Sequence, residues 1–60
     1  MKAEYAAWVV KCKNLKFIDC YGDESTIANA ELFNMKKDAK KLCGEPDDKP
    51  VKVRVTIEEI

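Results

Sequence analysis

The chain has 60 residues, with eleven basic and eleven acidic side chains, three cysteines and no histidine. Zero net charge argues against a general nucleic-acid binder, which is basic overall. The missing histidine removes the Ser-His-Asp triad and the usual base for a thiol nucleophile, so an enzyme is not expected.

A chain this short forms one small domain over 1–60 and buries roughly 60% of its unfolded surface, so a disulfide, a metal or a partner subunit normally supports it. Cys12, Cys20 and Cys43 are odd in number and lack the short spacing of a zinc ligand pair. Neither a metal nor a cofactor is expected, and a partner subunit remains as the support. The N-terminal apolar run, Tyr5 to Val10, is interrupted upstream by Glu4 and is too short for a signal peptide. Nothing approaches the ~20 apolar residues of a membrane span. Free thiols suit a reducing cytosol, so a cytoplasmic location is expected.

"YAAWVVKC", residues 5–12, predicts a strand that is apolar on both faces. Ala6, Trp8, Val10 and Cys12 fall on one face; Tyr5, Ala7 and Val9 fall on the other. "KNLK" at 13–16 predicts a turn, since Asn tolerates left-handed dihedrals. "FIDCY" at 17–21 predicts a second strand paired back on the first, with Cys12 opposite Phe17 and Val9 opposite Cys20. "GDES" at 22–25 then ends the strand and starts a helix, with Asp23 or Ser25 as cap.

Between 26 and 43 there is no Gly or Pro, and Ala28, Leu32, Met35, Ala39 and Leu42 form one helical stripe. The stripe favours a continuous helix. Phe33 lies off it, and the alternative is a short turn through Ala30 and Phe33, with Asn34 capping a second helix from Met35. Gly44 and Pro46 stop the helix. "EPDDKP" at 45–50 is a solvated connector. "VKVRVTI" at 51–57 is a clean alternating strand.

This β-β-α-β order predicts an α+β two-layer sandwich: a three-stranded antiparallel sheet, first strand central, with one helix on one face. The helix covers only one face of the two-faced first strand. The other meets water, a partner subunit or a target, or else the helix ends and the connector fold over it. A partner is the favoured reading, which predicts a homodimer with Tyr5, Trp8 and Val9 at the interface.

Charge is unevenly placed. Asp19, Asp23, Glu24 and Glu31 lie in a stretch free of basic residues and are the expected partner-binding patch. Lys36, Lys37, Lys40 and Lys41 form an alternative basic patch, although positive charge near a helix C-terminus needs no ligand to explain it. No aromatic residue is interleaved among these lysines and no glycine-rich loop precedes them.

The segments "WVVK", "AELF" and "DAKKL" resemble a pattern in small uncharacterised proteins of tailed phages and prophages. There, a strand of that type is followed by a short second strand, an Ala-x-x-Phe element, a cap and an Ala-containing helix. Ala30, Phe33 and Ala39 are the matching positions, and Asn34 stands where the pattern has Ser or Thr. The resemblance implies a phage protein that binds a host target, such as a component of CRISPR or another bacterial defence system. Two alternatives stand beside it. One is a nucleic-acid-binding accessory protein using the helical lysines with Lys52 and Arg54. The other is a sponge for a signalling nucleotide at a dimer interface.

Overall fold

Two ten-residue strands form the spine of the molecule: β1 (Lys2–Lys11) and β4 (Lys49–Glu58), antiparallel along their whole length from Lys2 opposite Glu58 to Lys11 opposite Lys49. The computed structural model describes all residues, 1–60. At about 3.4 Å per residue each strand runs about 34 Å, most of the 40 Å long axis of a molecule only 21 by 18 Å across. The alternation of Val51, Val53, Val55 and Ile57 with Lys52, Arg54 and Thr56 matches the pleat, and the valines pair with Val9, Ala7 and Tyr5.

On the other side of β1 lie two short strands, β2 (Phe17–Ile18) and β3 (Glu24–Ser25), in the order β3-β2-β1-β4. The sheet therefore has four strands rather than three; "ES" pairs with "FI" instead of opening a helix. Phe17 sits opposite Lys11, not Cys12, a one-residue difference from the expected register. The turn causes it: Asn14 and Leu15 both adopt left-handed backbone, and the Cys12 N–H donates to the Lys16 carbonyl. Cys20 falls in a turn, outside the strand, and all three thiols are free.

β1 and β2 meet only at Lys11–Phe17 and then diverge. Residues 30–33 fill the fork in extended conformation. The Glu31 N–H donates to the Ile18 carbonyl at 3.0 Å, and Phe33 exchanges two backbone hydrogen bonds with Trp8, at 2.8 and 2.9 Å. That pairing breaks the continuous helix expected over 26–43. A 3-10 turn occupies Ile27–Asn29, and the single α-helix, α1, is only Lys36–Lys40, with Met35 rather than Asn34 in the cap position.

The break lets one chain segment serve both sheet faces. The Ile27–Asn29 turn leans on the face of Val9, Val53 and Val55; α1 lies on the face of Trp8, Val10 and Cys12, seated through the fully buried Ala39. Val9 and Val10 point to opposite faces and are 1% and 0% exposed. The expectation that one face of β1 needs a partner subunit is thus corrected for residues 7–10, which the chain itself covers. Residues 1–6 remain exposed, so the end of the β1–β4 ribbon projects from the domain. No helix is long and apolar enough to cross a membrane.

Candidate functional site

The four acidic residues expected to act together lie around β2 and β3, each with a different local role. The Asp19 carboxylate accepts hydrogen bonds from the backbone N–H groups of Tyr21 and Asp23, at 2.9 and 3.0 Å. Its own N–H donates to the Asp23 carbonyl, and Gly22 supplies a left-handed φ of 82°. Asp19 therefore builds the turn into β3, a short polar side chain stabilising a local bend. Asp23 is exposed in that turn. Glu24, opposite Ile18 in β3, faces the α1 side of the sheet. Glu31 is half-buried beside Ile18.

On the α1 side Glu24 meets carboxylates that the linear reading assigned to a connector. Glu24, Glu45, Asp47 and Asp48 rim an open groove of ≈590 Å³, with Cys12, Ile18 and Leu42 among its lining and Lys13 as its one basic side chain. Asp48 accepts from the Gly44 and Glu45 N–H groups at 3.1 and 3.0 Å, which folds the connector into a compact turn. No three His, Cys, Asp or Glu side chains converge to hold a metal ion.

Burial, reinforced by the nearby carboxylates of Asp48 and Glu24, pushes the Cys12 thiol up from 9.0 to about 11. Cys43 is raised too, chiefly by burial and then by Asp48, with Lys40 opposing; its thiol donates to the Ala39 carbonyl at 3.7 Å. Two results are expected. Cys20, exposed, reacts with a maleimide in the native state while Cys12 stays protected, as read by mass spectrometry. Above pH 9 the unfolded chain releases the Cys12 proton that the fold retains, so the stability contribution of the neutral thiol, intact below pH 9, is lost as pH rises through about 11. Native labelling of Cys12 as fast as Cys20 would contradict this burial.

The basic set is brought together with an aromatic ring that sequence spacing conceals. Lys36, Lys37, Lys40 and Lys41 are all exposed, and the Lys36 Nζ lies 5.6 Å from the centroid of the Trp8 ring, a cation–π distance. Lys52 is the direct cross-strand neighbour of Trp8, and Arg54 is its diagonal neighbour on the same face. The one ion pair in the chain, Lys2–Glu4 at 3.4 Å, involves none of these groups. Of the expected interface residues, Tyr5 is exposed, Trp8 is half-buried with Lys36 above it, and Val9 is buried within its own chain and presents no surface to a partner.

Fold and site define a small α+β domain whose helix-bearing face is charge-polarised, with an acidic groove near β3 and a basic, tryptophan-centred patch near β4. Compared with protein-family models, curated proteins and solved structures, the chain matches none. The likeness to small phage proteins rests on its three short segments alone.

Proposed function

We propose that this chain is a non-enzymatic interaction protein that docks its acidic groove on a basic surface of a host protein, in the manner of phage-encoded inhibitors of bacterial defence systems. The observation that carries the reading is that Glu24, Glu45, Asp47 and Asp48 line one open groove that contains Ile18 and Leu42. Four carboxylates against the single Lys13, set around apolar surface, accelerate encounter with a basic partner and give it an area to bury. The phage origin draws on the resemblance of "WVVK", "AELF" and "DAKKL". The test is binding to purified defence nucleases and their guide complexes, with phage survival on a defence-positive host as the functional readout. Glu24→Lys with Asp47→Lys is expected to weaken binding at least tenfold and abolish protection. Lys37→Glu with Lys40→Glu should leave both intact; loss in the lysine variant alone would refute the choice of surface.

A second reading, single-stranded nucleic-acid binding, draws support from Trp8 lying among Lys36, Lys52 and Arg54. An aromatic face with flanking cations is the usual stacking platform for bases. Steeply salt-dependent binding of a labelled oligonucleotide, lost in Lys52→Glu with Arg54→Glu, would put this reading first.

A further inference from the structure

The outer edge of β4 is a ten-residue strand edge without a backbone partner. Trp8 spends both its backbone groups on Phe33, so the even-numbered residues of β1 turn away from β4 and the odd-numbered ones bond to it. In the register that places Ala7 opposite Val53 and Tyr5 opposite Val55, the backbone groups of Lys52, Arg54, Thr56 and Glu58 point outward. A long free edge is a template for another strand, and its side chains decide which strands it accepts.

We propose that two copies of this chain join through the outer edges of β4, antiparallel about a two-fold axis at Val55. Charge and the matching of apolar residues together select that register. An axis at Arg54 sets the two arginines against each other, and an axis at Val53 sets Lys52 against Arg54. Like charges directly opposite are destabilising. An axis at Thr56 pairs Arg54 with Glu58 but leaves Lys52 opposite Ile60 and the apolar Val53 opposite Glu59, so Val53 loses its apolar partner. The axis at Val55 sets Lys52 opposite the second copy's Glu58, Arg54 opposite its Thr56, and Val53 opposite its Ile57. The outward backbone groups then meet one another in phase.

The apolar surface agrees. On the face opposite α1, Tyr5 lies beside Val55, and Tyr5 and Ile57 are 43% and 57% exposed. The small groove of Val9, Ile27, Leu32, Val53 and Val55 reaches this edge. Pairing two copies joins these side chains across the axis into one strip. With only five buried residues per chain, a domain this small gains the shared surface it lacks. β4 lies at the opposite end of the sheet from Glu24. Pairing leaves the acidic groove free and stands whether or not that groove binds a target.

Light scattering and sedimentation on the full chain over a concentration series are expected to show a dimer. Lys52→Glu and Glu58→Lys, each at an exposed position, should each weaken it at least about tenfold, because both copies carry the repulsion. The two changes combined should restore it. Thr56→Pro should yield a folded monomer, since the lost N–H points outward and the β1 ladder keeps its bonds; circular dichroism checks the fold. A monomer at every concentration, or a dimer unaffected by the single reversals and by Thr56→Pro, overturns the proposal.

Discussion

Val9→Asp and Val10→Asp are each expected to unfold the domain at room temperature. The two side chains point to opposite faces of β1 and are the largest fully buried ones in the chain. A domain of this length has a net stability of roughly 3–9 kcal/mol. An unpaired carboxylate in either position costs several kcal/mol in desolvation, in addition to about 2 kcal/mol of lost apolar burial. Tyr5→Asp on the same strand serves as the control: its site is 43% exposed, and the cost should stay near 1 kcal/mol. Far-ultraviolet circular dichroism and amide dispersion in a proton–nitrogen spectrum separate the cases. If only one of the two valine variants unfolds, the segment over the other face is not packed as described.

Phe33→Pro should destabilise the domain by about 1–3 kcal/mol more than Phe33→Ala. Both changes remove the ring. Only proline removes the N–H that Trp8's carbonyl accepts at 2.9 Å. That bond, with its reciprocal at 2.8 Å, holds the chain where it crosses from the Ile27–Asn29 turn on one face to α1 on the other. Losing it leaves the Trp8 carbonyl without a partner and releases both covering segments. Urea melts read the difference. Equal midpoints and slopes for the two variants would show that the crossing is held by the side chain alone. Native hydrogen exchange offers a second view: the Trp8 and Phe33 amides should be protected to the same degree, because one opening event exposes both.

Tyr5 to Lys11 and Val51 to Ile57 announced their strands without help from the rest of the chain, although β1 begins at Lys2 and ends before Cys12, and β4 extends to Lys49 and Glu58. β-branched and aromatic residues at period two have few other stable conformations, and an apolar run on both faces forces a central position in a sheet. The α+β class followed, as did the flanking of β1 by the "FI" and "VKVRVTI" strands. Residues 26–43 behaved otherwise. Their local pattern is that of a helix, but Phe33, the residue off the stripe, satisfies the free edge of β1, and two backbone hydrogen bonds plus cover for both faces outweigh a helical preference of only tenths of a kcal/mol per residue.

The candidate site was less legible for a related reason. Glu24 and the lysines could be identified by charge, but charge alone does not say what lies beside them. Asp19 was absorbed by its own turn, while Glu45, Asp47 and Asp48 reached Glu24 only because the connector folds back on Cys12 and Ile18. Trp8 lies 28 positions before Lys36 and 44 before Lys52; its place among them follows from the β1–β4 register and the seating of α1 through Ala39. Residue type and period determine which segments can form and which faces must be covered. Which side chains become neighbours is decided when those faces are packed, because contacts distant in sequence form only through tertiary structure.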